Sequence, residues 1–222
     1  MMAEKRMGSR WLLLIISVVV VYAALDILWP LHRDLRGFDP NALGNLETAM
    51  WRSYYNRQPV RLFFQLSEML RTQYHFPVLR SYLGAYHAAR AAFLFKEGKS
   101  RADYEKALPS LMEYFSEIHR TGDIDFDVHQ ASKVELEWWI VHRDRGKYPP
   151  DALGRACAEA AAAVYQISPD SALEHGRLRA AAMVIRDSCQ LAGVVNEQNW
   201  GEIDGLLQGC YRSLRRVVSP GR

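Results

Sequence analysis

The chain contains few of the residue patterns that mark a catalytic or metal site. Its three cysteines, Cys157, Cys189 and Cys210, are far apart, so there is neither a Cys-x-x-Cys zinc pair nor a Cys-x-x-Cys-His haem attachment. A Gly-x-Ser-x-Gly turn, a Walker loop and a Gly-x-Gly-x-x-Gly turn are also missing from the sequence. The common hydrolase arrangement and phosphate-binding loops therefore lack support. The cysteines fit buried thiols in helices better than a bridge between Cys189 and Cys210, which remains the alternative.

An excess of one charge is missing as well. The formal net charge is only +3, and part of it comes from the N-terminal residues. A late group of arginines, Arg212, Arg215 and Arg216, falls at the predicted end of a helix, where cations complement the helix dipole. We therefore expect no nucleic-acid partner. The content of 49% hydrophobic and 24% charged residues is typical of a globular protein.

One uninterrupted apolar segment stands near the N-terminus. Residues 11–29 read WLLLIISVVVVYAALDILW, and the first charge is at Asp26. As a helix with a rise of about 1.5 Å per residue, this segment spans roughly 28 Å, close to the hydrocarbon thickness of about 30 Å. Trp11 and Trp29 suit the two headgroup layers. The segment predicts a single transmembrane anchor in contact with lipid, with Asp26 close enough to the outer end to reach the interface.

The charges around the segment predict its orientation. Lys5, Arg6 and Arg10 precede it, whereas the charges that follow it are nearly balanced. The expected organisation is a cytoplasmic basic tail at 1–10, an anchor at 11–29, a linker at 30–40 and an extracytoplasmic domain at 41–218. A bacterial inner membrane with a periplasmic domain fits this best. The alternative is a cleaved signal peptide ending near Ala23, although the apolar run continues beyond it.

The rest of the chain has the periodicity of helices. Apolar residues recur at spacings of three and four, and alternating strand patterns are missing. Proline and glycine at the breaks predict short connections, which force consecutive helices to be antiparallel. The fold class is therefore all-α, with one N-terminal transmembrane helix and a bundle or hairpin stack of about eight helices. We predict these helices at 41–56, 59–74, 77–97, 101–120, 128–144, 150–166, 169–191 and 198–217.

One predicted hairpin resembles a tetratricopeptide repeat. Residues 76–96 and 101–119 are joined by EGKS, and Ala102 and Ala107 lie in the second helix. The resemblance covers this hairpin alone, because no 34-residue period recurs along the chain. It therefore implies neither that family nor its peptide-binding groove.

Four predicted helices carry polar residues on or beside their apolar faces. These are Glu47, then Arg90 with His87, then Glu135 with His142, and finally His175 with Arg186. Because an unpaired buried charge is costly, the first interpretation is interior ion pairing. The candidate pairs are Glu47 with Arg90 and Glu135 with Arg186.

The second interpretation of these polar residues is a metal centre. Carboxylates and histidines from four helices are the ligands of a di-iron bundle, so the candidate iron ligands are Glu47, His87, Glu135, His142 and His175. The ferritin-like pattern needs Glu-x-x-His twice, and this chain has none. Iron is therefore the alternative to a protein without a cofactor.

An aromatic and basic segment at residues 51–57 is a further candidate site. Aromatic and arginine side chains are typical interface anchors, so Arg52 and Tyr55 are candidate docking residues. The other interpretation places this segment in the core.

Two hypotheses of function follow. The first is a non-enzymatic, membrane-anchored helical scaffold that binds other subunits of a membrane complex on the extracytoplasmic side. The alternative is a membrane-tethered di-iron oxidase or oxygenase with its site inside the bundle.

Overall fold

The computed structural model describes residues 2–191, 193 and 195–219, with side chains from residue 10 onward. These residues form helices and no strand, so the all-α class is confirmed. The helices are α1 Met2–Leu28, α2 Pro40–Tyr55, α3 Pro59–Gln73, α4 Val78–Glu97, α5 Arg101–Tyr104, α6 Leu108–Thr121, α7 Val128–Arg143, α8 Ala152–Tyr165, α9 Leu173–Leu191 and α10 Glu197–Val218. Short 3₁₀ turns occupy Glu105–Ala107 and Arg145–Lys147.

Most of helix α1 is exposed. Residues Arg10–Leu28 are long and apolar enough to cross a membrane, with a mean hydropathy of 2.6, and only 6% of this stretch is buried by the protein. A signal sequence would have the same properties. The basic residues before Trp11 belong to the same helix as the apolar segment, although the sequence placed them in a separate tail.

Most predicted helix boundaries are within two residues of the observed ones, and local chemistry explains the larger differences. The single helix expected at 101–120 is divided, because Pro109 in the first turn of α6 cannot donate a backbone hydrogen bond to the preceding turn. The helix expected from residue 169 begins at Leu173. Before it, residues 168–172 form turns in which the Ser168 hydroxyl accepts from the Asp170 amide at 3.2 Å.

Eight helices of the domain form a closed ring. Each of α2, α3, α4, α6, α7, α8, α9 and α10 packs against the next one in this order, and α10 returns to pack against α2. Gly44 permits this closure, because a Cβ there would lie 2.7 Å from the Gln208 backbone nitrogen. Gly176 similarly brings α9 close to α8, where a Cβ would lie 2.0 Å from the Gly154 carbonyl oxygen. The antiparallel arrangement expected from the short connections is therefore a ring of helices.

The linker after α1 closes one end of the ring, which we call the linker end. Arg33 forms an isolated parallel bridge with Gly122 at the end of α6. Leu35 and Phe38 are buried, and the Phe38 ring lies 6.0 to 6.2 Å from the rings of Tyr74, Tyr165 and Tyr211. The opposite end, where α2 ends and α3 begins, we call the far end.

A buried arginine joins α1 to this end of the ring. Arg80 in the first turn of α4 is 2% exposed. Its Nε donates to the Asp26 backbone carbonyl at 2.7 Å, and its guanidinium also donates to the Trp29 carbonyl. The Asp26 carboxylate accepts from the Arg80 amide at 3.2 Å. Asp26 is therefore buried against protein and forms part of the attachment between α1 and the domain.

Candidate ligand cavity and polar layer

The ring of helices encloses a cavity of about 350 Å³. Leucine, methionine, alanine and aromatic side chains from the eight ring helices form most of its wall. A smaller number of polar side chains reach it near the middle of the helices, which we call the polar layer: Glu47, Glu135, Arg179 and Tyr211. A mainly apolar cavity with a few convergent polar groups is the usual form of a small-molecule site.

Glu47 is the centre of the polar layer. Its carboxylate pairs with Arg179, whose Nη1 lies 2.8 Å from Oε2. The carboxylate also accepts from the Trp51 indole at 3.0 Å and from the Tyr211 hydroxyl. The predicted burial of Glu47 is thus observed, but its predicted partner is wrong. Arg90 is exposed, because it points away from the ring on α4, and Arg179 of α9 supplies the buried cation.

Glu135 also reaches the polar layer without its predicted partner. Its carboxylate accepts from the Trp139 indole at 3.1 Å. Burial raises the pKa of Glu135, and the nearby Arg179 opposes that rise. Arg186, the partner expected from the sequence, instead lies 3.3 Å from the centre of the Tyr55 ring and donates to Asp187 at 3.2 Å.

The histidines of the proposed iron site have separate partners. His142 Nε2 lies 2.9 Å from the Asp187 carboxylate near the far end. His175 Nδ1 lies 3.1 Å from the Cys210 carbonyl oxygen, and His87 lies beside Tyr86, away from the cavity. Among the side chains that the structure describes, no three His, Cys, Asp or Glu residues are grouped so that they could hold a metal ion. The iron centre stays a prediction from the sequence.

A cysteine and a histidine do meet in the core. The Cys210 sulfur lies 3.0 Å from His175 Nδ1. Burial raises the pKa of the Cys210 thiol well above its usual range, while burial and Arg179 lower the pKa of His175 to about 3. Both shifts favour the neutral forms, whereas a nucleophilic pair requires a thiolate. All three cysteines are free thiols in the structure; Cys157 and Cys210 are buried, as expected for core thiols, whereas Cys189 is only partly buried.

The lowered pKa of His175 predicts a pH dependence of stability. The unfolded chain binds a proton near pH 6.5 and the folded chain near pH 3, so the unfolded state binds more protons between these values and stability falls as pH decreases. We expect a loss of about 2 kcal/mol between pH 6.5 and 5. Urea unfolding of the full-length protein in detergent at both pH values measures it. His175→Gln should remove this part of the slope, and His129→Gln, at an exposed site, should retain it; equal slopes in all three proteins would contradict the assignment.

The two docking residues expected from the sequence are engaged within the chain. Arg52 forms a two-pronged ion pair with Glu197 at 2.8 and 2.9 Å and lies 4.9 Å from the centre of the Trp200 ring. Tyr55 lies beneath the Arg186 guanidinium and lines the cavity. Both side chains therefore hold α2 against α9 and α10, and the docking role assigned to them stays untested.

A different aromatic surface lies outside the ring on α3 and α4. We call it the α3–α4 patch and define it as Val60, Phe63, Phe64, Tyr82 and Tyr86. Phe64 is 57% exposed, Val60 68% and Tyr86 52%. The Phe63 ring stacks on Tyr82 at 5.8 Å and meets Phe64 at 5.2 Å. The sequence contains one signal of this surface, since Val60 and Phe64 are four residues apart and both lie off the buried face of α3.

Comparison of the chain with family models, with curated proteins and with solved structures finds no match.

Proposed function

We propose that this protein is a membrane-anchored helical interaction subunit whose ring domain docks onto another membrane protein on the extracytoplasmic side. The observation that carries the proposal is the α3–α4 patch, on a domain attached to a helix that is long and apolar enough to span a membrane. Large exposed apolar patches on a folded domain mark sites of interaction. The basic residues before Trp11 support an orientation with the N-terminus in the cytoplasm.

The composition of the patch supports a protein partner. Phenylalanine, tyrosine and arginine are enriched at protein interfaces. Exposed arginines border the patch at positions 57, 61 and 90, with Arg61 three residues before Phe64 and Arg90 four residues after Tyr86. The side chains of these three arginines form no ion pair or hydrogen bond with the described residues. The partner therefore carries an apolar surface with carboxylates at its rim.

The tether favours such a partner energetically. Because α1 would confine both proteins to one membrane, the second contact forms at a high effective concentration and need not be strong on its own. Association within a membrane complex then requires a smaller interface than two soluble proteins would need. The proposed partner is accordingly another membrane protein.

Photocrosslinking in the native host membrane tests the proposal. With a benzophenone amino acid at position 64, we expect one discrete protein adduct, and protease added outside intact spheroplasts should digest it. The matched control places the same amino acid at Val184, which is 41% exposed on α9, away from the patch. Tyr86→Ser in the position-64 protein should weaken the adduct and change the free energy of unfolding by no more than about 0.5 kcal/mol.

Three results would contradict the proposal. Adducts of equal strength at positions 64 and 184 would mean that contact is unspecific. Adducts only to lipid would identify the patch as a membrane-binding surface. Adducts that external protease leaves intact would place the domain on the cytoplasmic side.

A further inference from the structure

The far end of the cavity is bordered by three cations, each above a ring that lines the cavity wall. Lys96 Nζ lies 4.3 Å from the centre of the Tyr54 ring, and the Arg143 guanidinium lies 4.9 Å from that of Phe95. The Arg186 guanidinium lies 3.3 Å from the centre of the Tyr55 ring. The cations come from α4, α7 and α9. Positive charge from three sides of the ring thus lies over rings that line the far end of the cavity, and we call this end the mouth.

These cations are poorly neutralised by the protein itself. Neither Lys96 nor Arg143 forms an ion pair with any described carboxylate. Arg186 pairs with Asp187, but its Nε is buried without a hydrogen-bond partner. Burial lowers the pKa of Lys96, and the charges of Arg57, Arg186 and Arg143 add to this effect, whereas Glu97 opposes it. Three cations close together and an unpaired N–H donor of Arg186 are energetically unfavourable unless an anion binds between them.

The interior behind the mouth suits an apolar chain. A cavity of 150 Å³ accepts benzene, so one of about 350 Å³ accepts about 14 non-hydrogen atoms. Its wall includes Leu66, Met50 and Ala161. The polar layer offers no free cation at greater depth, because Arg179 is already bound by Glu47 and Tyr211. An anionic group would therefore remain at the mouth while an apolar tail entered.

We propose that the ring binds a single-chain amphiphile with an anionic head, holding the head between Lys96, Arg143 and Arg186 and the tail in the cavity. A carboxylate is the head that the geometry fits most simply, since two arginines and a lysine supply charge-assisted donors. The ligand class is a medium-chain fatty acid anion. This site is separate from the α3–α4 patch, so it can be correct or wrong independently of the proposed docking function.

Binding of [1-¹³C]dodecanoate to the full-length protein in nanodiscs tests the proposal. Carboxyl ¹³C resonances should reveal saturable binding of one equivalent above the signal of empty nanodiscs. A Lys96→Gln, Arg143→Gln double variant should raise the Kd at least about tenfold, because a hydrogen bond to a charged group contributes about 1.5 kcal/mol or more. The matched control, Lys99→Gln with Lys133→Gln, also removes two positive charges, at exposed sites, and should bind as the wild type does.

A second pair of variants tests the cavity directly. Ala161→Phe and, from the opposite wall, Ala92→Phe should fill part of the cavity and abolish binding, with Tm unchanged or raised. Ala102→Phe, at an exposed position outside the cavity, is their control. One folded cavity variant is enough for this test.

Binding of 1-dodecanol and of dodecyl phosphate tests whether the head is anionic and which anion it is. Binding of 1-dodecanol as tightly as dodecanoate would overturn the anionic head, and retained binding in a folded cavity variant would overturn the location of the tail. No saturable binding of dodecanoate above empty nanodiscs would overturn the proposal, unless dodecyl phosphate binds with one equivalent and the same sensitivity to Lys96 and Arg143. That last result would support an anionic amphiphile and assign its head to a lipid phosphate.

Discussion

Replacing Glu47 by Gln should cost about 3 to 5 kcal/mol of unfolding free energy, whereas replacing Arg90 by Gln should cost almost nothing. Glu47 neutralises Arg179 in the wall of the cavity and accepts hydrogen bonds from Trp51 and Tyr211. Without the carboxylate, Arg179 remains as an uncompensated charge between helices, which is the expensive outcome for a buried pair. Arg90 is exposed and has no such role.

Urea unfolding of full-length protein in detergent, followed by far-UV circular dichroism, gives both values. The informative comparison is the double variant Glu47→Gln, Arg179→Met, which removes the cation together with the anion. We expect it to be more stable than Glu47→Gln alone, because the cost arises from the unpaired charge. A Glu47→Gln protein as stable as the wild type would mean that Arg179 finds other compensation, and the polar layer would then have little structural importance.

Replacing Arg80 by Met should cost about 3 kcal/mol and should loosen the attachment of α1 to the ring. The Arg80 guanidinium donates to the backbone carbonyls of Asp26 and Trp29, and to Thr121 at 3.3 Å. Methionine retains most of the apolar stem but leaves these acceptors without a donor in a buried place. Each unsatisfied buried group costs about 1 to 3 kcal/mol.

Two measurements distinguish a loosened attachment of α1 from a loss of global stability. Urea unfolding measures the loss of stability, and limited proteolysis of the native protein should cleave the linker at residues 30–39 faster in the variant. Arg90→Met, at an exposed position on the same helix, is the control for losing an arginine. If proteolysis of the linker were equally slow in Arg80→Met and in the wild type, the bridge at Arg33 and the burial of Phe38 would be sufficient to hold it.

The sequence predicts the inward orientation of Glu47 but not its partner. Its position relative to Leu43 and Met50 predicts that it faces inward, because side chains three and four residues apart share one face of a helix. The sequence does not predict which arginine pairs with Glu47. Arg179 is 132 residues away along the chain, and its pairing with Glu47 depends on how α9 and α2 are placed around the ring. Periodicity contains no information about that placement.

The same division applies to the proposed ligand site. The sequence predicts that Lys96, Arg143 and Arg186 lie at or near helix ends, since each precedes a predicted break by at most five residues. It does not predict that these three helices end at the same end of the ring, because this follows from alternating helix directions in a closed ring. The cavity is likewise invisible in sequence, since an apolar residue beside a void and one in a packed core have the same hydropathy.

The sequence by itself determined the all-α class, the apolar segment before the domain, most helix boundaries and the inward orientation of Glu47, because these depend on interactions between residues close along the chain. The tertiary structure alone decided the ring closure, the pairing of Glu47 with Arg179, the attachment of α1 through Arg80 and the group of cations at the mouth. These features depend on contacts between residues far apart in the chain, and many helix arrangements satisfy the same local preferences.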